Sequence, residues 1–362
     1  MAAALLAPRL TLLVLATTLA CAAPRAAPAP SAAPAAPSAP AAPATVSPSQ
    51  AGTATPALDA LRTGYTTTSA SLAGVWMAKE GGYFAQNGID ADLGFVRAGA
   101  EVLAAVSNRE MPIAIGGGVE FIAAALEGSD HVMLGGMSSK LAVALYTSPD
   151  ITSVADLKNK AIGVSRFGAI THFGAQKILA RNHLREGDDV AIIQTGGVPE
   201  SLAAMQSGAV QGAILTPPIT LKARQLGFSP LVDTKNLDIP SQGSVIGSTR
   251  GYVRDHPEIA ERYLKALIEG IHRLVTDREF GMAVIGRYTQ TDDPDVLADA
   301  YDYYRDGYQR DLMPTLEGLQ EQIDELSASK PQARGAKPQD FLDLAPLERV
   351  KATGLVERLY AQ

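Results

Sequence analysis

Leu157-Lys-Asn-Lys-Ala-Ile-Gly-Val-Ser-Arg-Phe-Gly-Ala-Ile-Thr-His-Phe-Gly-Ala-Gln-Lys-Ile-Leu179 reads as strand, loop and helix. Ala161 to Val164 is a short apolar run of the length a buried strand needs. Ser165 to Ala169 is a small-residue loop interrupted by Arg166 and Phe167. Phe173, the stem of Lys177, Ile178 and Leu179 then fall on one side of a helix. Thr171 stands where a hydroxyl either caps that helix or leaves its first N–H groups to a ligand. In open α/β sheets ligands bind outside the carboxyl ends of the strands, so this loop is a candidate contact element.

The same strand–loop–helix unit recurs on both sides. Leu61 to Thr66 reads as a first strand, followed by the hydroxyl-rich run Thr66-Thr-Thr-Ser-Ala-Ser71 and a helix over Leu72 to Lys79 that contains Trp76. Ala91, Leu93 and Phe95 alternate as a second strand. Ile113 to Ile115 ends in Gly116-Gly-Gly118, and His131 to Leu134 ends in Gly135-Gly-Met-Ser-Ser139. Three strand ends thus carry small or hydroxyl residues, which let a ligand approach the backbone closely. Alternating strands and helices imply a largely parallel sheet.

Ala142 to Thr147 reads as a strand leaving this first group. Ser153-Val-Ala-Asp156 has the spacing of a capping box. A second series follows: the opening stretch, Val190 to Gln194 before Thr195-Gly-Gly-Val-Pro199, and Ala213 to Leu215 before Thr216-Pro-Pro218. Ser244 to Ser248 reads as a strand returning to the first group. From Pro257 onward the pattern is helical with charged faces, and is expected to pack around the first group. Tyr301, Tyr303, Tyr304 and Tyr308 suit either an aromatic cage or half-buried helix packing, and the spacing favours packing.

The 362 residues leave room for about two domains. Hydrophobic residues make up 46% and charged residues 19%, enough for a sizeable core. The net charge of −7 and the lack of a basic tract argue against a nucleic-acid partner. The only cysteine is Cys21, so the folded part has no disulfide, thiolate metal site or catalytic thiol. No metal site, cofactor or catalytic residue is expected. Residues 1–20 read as an export signal: Arg9, then the apolar run Leu10 to Leu19, too short to span a bilayer. Thr18-Leu-Ala-Cys21 resembles a lipobox with its leucine one place late, and Cys21 is the expected lipidation site. Cleavage near Ala20 or Ala23 without a lipid is the alternative. Residues 21–56 are Ala/Pro-rich, hold nine of the chain's 23 prolines, and are expected to form an extended tether.

Trp76-Met-Ala-Lys-Glu-Gly-Gly-Tyr-Phe84, Asn87-Gly-Ile-Asp90, Asp156-Leu-Lys-Asn-Lys-Ala-Ile-Gly-Val-Ser165 and Ala203-Ala-Met-Gln-Ser-Gly-Ala-Val-Gln-Gly-Ala213 occur in this order. Together they resemble the nitrate/sulfonate/taurine-type solute-binding proteins of ABC importers, with Gln211-Gly212 departing from the usual Asp. The resemblance runs over about residues 60 to 355. It implies an α/β fold of the periplasmic-binding-protein type II: two lobes with mainly parallel sheets, joined by two hinge crossovers. Lobe 1 is expected at 57–146 plus 248–362 and lobe 2 at 147–247, with hinges at Tyr146 to Ser148 and Ile246 to Thr249. Carried over position by position, ligand contacts are implied at Thr67, Ser69, Ser71, Gly117, Gly118, Ser138 and Ser139 in lobe 1. In lobe 2 they are implied at Arg166, Ile170, Thr171, His172, Gly197 and Pro217. Trp76 belongs either to the cleft or to the helix core, and Arg166 either to the ligand or to solvent, Glu200 or another acid.

The implied function is capture of a small anionic or heterocyclic nutrient outside the cytoplasm and delivery to the transmembrane subunits of an ABC permease. The protein is expected to be a monomer held to the membrane through its lipid anchor, and not an enzyme. Two alternatives stand beside this: an enzyme of the pyrimidine-synthase-like group on the same fold, whose cysteine-rich motif is missing here, and a ligand-sensing subunit.

Overall fold

The computed structural model describes residues 57–97 and 99–361. The export signal, Cys21 and the tether over 21–56 lie outside the described residues. Among the described residues ten strands form two sheets: β1 (Asp59–Tyr65), β2 (Ile89–Phe95), β3 (Ile113–Gly116), β4 (His131–Gly136), β5 (Ala144–Thr147), β6 (Ala161–Val164), β7 (Ala191–Gln194), β8 (Gly212–Leu215), β9 (Ser229–Asp233) and β10 (Val245–Thr249). The first sheet has the order β2-β1-β3-β10-β4 and the second β7-β6-β8-β5-β9. In the first, β1 runs parallel to β2 and β3, and β10 runs antiparallel to β3 and β4. In the second, β6 runs parallel to β7 and β8, and β5 runs antiparallel to β8 and β9. One opposing strand per sheet leaves the other four pointing the same way, so the expected two-lobed, mainly parallel α/β architecture is the one observed.

Apolar strands buried on both faces explain this layering. Every residue of β3, β4, β5, β8 and β10 is buried. Such strands need helices on both sides of the sheet. The helices Gly99–Ser107 and Gly118–Leu126 link β2 to β3 and β3 to β4. Ile170–Arg181 and Val198–Gln206 do the same between β6, β7 and β8. Each linking helix therefore begins at a strand's carboxyl end, and those ends share one edge of each sheet.

The lobe boundaries differ from the expected ones. β5 belongs to the second sheet and β10 to the first, so Tyr146 and Ile246 lie inside strands. The chain crosses between sheets earlier, at 137–143 and at 234–244. A strand buried on both faces carries no mark of which sheet it joins, which is why the sequence misplaced both crossings. The two crossovers are also bonded to one another. Leu141 N donates to Ile239 O at 2.9 Å and Ser241 N to Ser139 O at 3.0 Å, with a bridge between Lys140 and Pro240.

Helices after Pro257 pack against the first sheet. Pro257–Thr276 crosses the helix Ala73–Glu80 closely. A Cβ at Gly270 would stand 2.7 Å from Ala78 N and 2.8 Å from Gly74 O, so only glycine allows the two backbones to meet here. Trp76 is fully buried in this layer. Its ring stacks on Tyr288 at 4.9 Å and 6°, with Tyr65 edge-on at 5.7 Å. No helix among the described residues is long and apolar enough to cross a membrane.

Candidate functional site

Between the two sheets lies a cavity of about 410 Å³ lined from both lobes. Its first-lobe wall begins at the loop after β1. The Thr67 hydroxyl accepts from Ser69 N at 3.2 Å, and the Ser69 hydroxyl accepts from Ser71 N at 3.3 Å. These short-range bonds shape the hydroxyl-rich run into a turn and point it at the cleft. Ser69 Oγ also donates to the carbonyl of Pro217 in the second lobe at 3.4 Å. Gly117, Ser138 and Ser139 supply the neighbouring strand ends.

The second-lobe wall is the loop after β6. Arg166, Ile170 and Thr171 line the cavity. Thr171 is 2% exposed. Its hydroxyl accepts from Ser165 N at 3.1 Å and lies 2.7 Å from Ser165 Oγ. It therefore closes the loop rather than capping its helix, whose N-cap, Ala169, has no side-chain bond to offer. The helix start accordingly faces the cavity with free N–H groups.

Most of the expected contacts come together, and three do not. Thr67, Ser69, Ser71, Gly117, Ser138, Ser139, Arg166, Ile170 and Thr171 line the main cavity. Gly197 and Pro217 line an adjoining space of about 440 Å³ that shares Thr67, Ser69 and Arg166 with it. Trp76 sits in the core. Gly118 faces the backbone of Gln242 instead. His172 lies outside the main cavity, where Nδ1 accepts from Gly168 N at 3.1 Å and Nε2 lies 3.0 Å from Glu186 Oε1. On that geometry Nε2 carries the proton and donates to Glu186.

Sequence reasoning missed the aromatic side of the cavity. Tyr303, Tyr304 and Tyr308 all line it, and only Tyr301 is purely a packing residue, donating to Leu274 O at 2.7 Å. The Tyr304 hydroxyl lies 3.2 Å from Ser69 Oγ. Tyr308 donates to Ala70 O. Tyr303 donates to Asp233 Oδ1 at 2.8 Å, and Lys235 Nζ donates to Tyr303 O at 2.7 Å. Burial pushes the Tyr304 and Tyr308 hydroxyls well above the usual phenol range, so both stay protonated. The usable signal was that Tyr303 and Tyr304 are adjacent, and neighbours on a helix cannot share one packing face.

Glu120 was missed as well. It lies at the start of the helix Gly118–Leu126, and its Oε2 accepts from Gly117 N at 3.2 Å. Its Oε1 stands 3.8 Å from Arg166 Nη2, with the two side chains 12% and 18% exposed. Burial is the larger influence and holds the carboxyl's pKa above its ordinary value, against the lowering effect of Arg166 and the Gly117 N–H. Arg166 thus meets another acid, Glu120, rather than facing solvent or pairing with Glu200, which is 3.5 Å from Arg97 instead. Its Nη1 donates to Arg97 O, and its Nε is buried without a hydrogen-bond partner. The Gly117-x-x-Glu120 spacing was legible as a helix start, but nothing local pointed to Arg166. Among the described residues no group of three or more His, Cys, Asp and Glu could hold a metal ion.

Residues 69–279 match the sequence profile described as NMT1/THI5 like. No curated protein matches the chain at the level of sequence. Among solved structures, a protein of Bordetella bronchiseptica RB50 superposes with a TM-score of 0.70 at 18% identity, covering 82% of this chain and 98% of its own. The periplasmic aliphatic sulphonate binding protein of Escherichia coli gives 0.67 at 20% identity over 79% and 92%. The periplasmic nitrate-binding protein of Synechocystis PCC 6803 gives 0.68 at 13% identity over 82% and 89%. At these identities the likeness is one of fold.

Proposed function

The chain belongs to the NMT1/THI5-like family, and from that premise we propose that it captures a small organic solute between its lobes, outside the cytoplasm, and delivers it to an ABC importer. The observation that carries this reading is the cavity of about 410 Å³, walled by hydroxyls from the loop after β1, by the free helix start at Ile170 and by three tyrosines. Pockets of this size enclose most of a small molecule's surface, with a few polar groups fixing its orientation. The solute-binding proteins of similar fold from Escherichia coli and Synechocystis support the assignment.

The leader before residue 21 and the single Cys21 support an exported, membrane-tethered form that works as a monomer with the permease. Binding rather than catalysis is favoured by His172, the one histidine near the cleft, which is engaged with Glu186 outside the cavity. Native mass spectrometry of the gently purified protein tests the reading. The expected result is a stoichiometric small molecule that is released intact and raises the melting temperature when added back. A protein that carries no solute, and whose melting no sulfonate, nitrate, carboxylate or nucleobase shifts, would sink it. Chemical turnover of the released solute would favour the enzyme alternative.

A further inference from the structure

Every charged side chain lining the cavity already has a partner within the protein. Lys140 pairs with Asp238, Asp306 with Arg305 at 3.2 Å, and Lys235 with the Tyr303 carbonyl. The remaining two, Arg166 and Glu120, face each other. A compact oxyanion entering such a pocket would look for a guanidinium fork and a helix N-terminus. Glu120 occupies both. One carboxylate oxygen accepts from Gly117 N at the start of the helix Gly118–Leu126, and the other lies beside Arg166 Nη2. Of the rest of the guanidinium, Nη1 donates to Arg97 O and Nε is enclosed by protein without a partner. Neither edge of the fork is then free at both of its nitrogens.

Apart from Lys235, whose ammonium is bonded to a neutral carbonyl, what the cavity leaves free is uncharged. It offers hydroxyls of Thr67, Ser71 and Ser139, the faces of Tyr303 and Tyr304, and the uncapped start of the helix Ile170–Arg181. That helix start carries a partial positive charge, which suits a carbonyl or sulfonyl oxygen as well as a full anion. A full negative charge would in addition lose its water, and would find the guanidinium beside it already engaged by Glu120. Aromatic faces favour a planar ring over a tetrahedral or trigonal inorganic ion.

We propose that Glu120 is the specificity-determining residue of this site, turning it away from oxyanions and toward an uncharged, polar, ring-bearing organic solute. This inference rests on the solute-capture reading and sharpens it. Benzenesulfonamide and benzenesulfonate form a matched pair of probes, because they share ring and sulfonyl group and differ mainly in charge at neutral pH. Isothermal calorimetry on the wild-type protein, stripped of solute, is expected to show the sulfonamide binding tighter by about tenfold or more, the scale on which a buried uncompensated charge is rejected. Glu120→Gln is expected to narrow that preference to within about threefold or to reverse it, because Arg166 then loses its ion-pair partner and turns to the sulfonate. Glu120→Asp, which keeps a carboxyl group at this position, is expected to retain the wild-type order.

Tighter binding of benzenesulfonate by the wild type would overturn the proposal, as would a ratio that Glu120→Gln leaves unchanged. Failure of both probes to bind the wild type would overturn the assigned solute class. In that case a solute found by native mass spectrometry would still leave the capture reading standing, so the two failures are told apart. If Glu120→Gln does not fold, the wild-type ratio and Glu120→Asp decide.

Discussion

Arg224 Nη2 donates to Asp299 Oδ1 at 2.5 Å across the cleft, joining the second lobe's helix Ile219–Gln225 to the first lobe's helix Pro294–Tyr304. Arg224 Nη1 donates to Tyr146 on β5 at 2.8 Å, so the guanidinium is held on its own lobe as it reaches the other. Asp299→Ala removes the far partner and leaves the near one. Such half-exposed pairs contribute about 0–1 kcal/mol, which is small for stability but comparable to the balance between an open and a closed cleft. Small-angle scattering of the solute-free variant is expected to show a larger radius of gyration than the wild type, with unchanged melting. An unchanged radius would mean that Arg224 and Asp299 do not hold the lobes together.

Thr171→Ala is expected to act on both stability and binding. The buried hydroxyl satisfies Ser165 N, and its loss leaves that donor without a partner. The cost is about 1–3 kcal/mol, read as a lower melting temperature, with weaker retention of the co-purified solute because the loop lines the cavity. Unchanged stability would show that the loop holds its shape without this bond.

Tyr304→Phe removes a hydroxyl that faces Ser69 and the Ala142 carbonyl at 3.4 Å, while keeping the ring. Affinity for the solute identified by mass spectrometry is expected to fall about three- to tenfold, the worth of one net hydrogen bond. An unchanged affinity would confine Tyr304 to packing.

Gly270→Ala places a methyl group where only backbone atoms of Ala78 and Gly74 lie, so the two helices must move apart. Overpacking of this kind costs about 1–3 kcal/mol. A variant as stable as wild type by denaturant unfolding would refute the close contact.

Asp156 tests the capping box at Ser153. Its carboxylate accepts from Ser153 N at 2.8 Å and Thr152 N at 3.0 Å, and these bonds hold its pKa below the ordinary 3.8. A folded-state pKa below the unfolded one adds stability that is complete above the unfolded value and is lost as pH falls through the folded one. Asp156→Ala should therefore melt below wild type at neutral pH, with the gap closing as the pH drops below about 4. A gap that stays constant with pH would point to side-chain packing instead.

The sequence made the architecture legible because period and burial are local properties. β3, β4, β6 and β8 all read as short apolar runs ending in glycine, serine or threonine. β9 escaped notice because Ser-Pro-Leu-Val-Asp is a partly exposed edge strand with a proline in it. Its pairing with β5 also shifts register between Leu145 and Tyr146. The hydroxyl half of the site was legible for the same local reason. The tyrosine half and the Glu120–Arg166 pair were not, because they are made by residues far apart in the chain. No spacing along the sequence records that Tyr304 comes to Ser69, or that a helix start in one lobe meets a loop in the other.

The bonded crossovers at 137–143 and 234–244 limit how the halves of this protein can shift. Two separate tethers would let each half tilt, slide and rotate independently. A paired ribbon, tied by Leu141 to Ile239 and by Ser241 to Ser139, resists stretching and shear along its length and yields mainly by bending and twisting. On the proposed function, the jaws would then meet along nearly the same path each time a solute is enclosed. The search for a productive fit becomes close to one-dimensional, and little disorder is lost when the solute is finally enclosed.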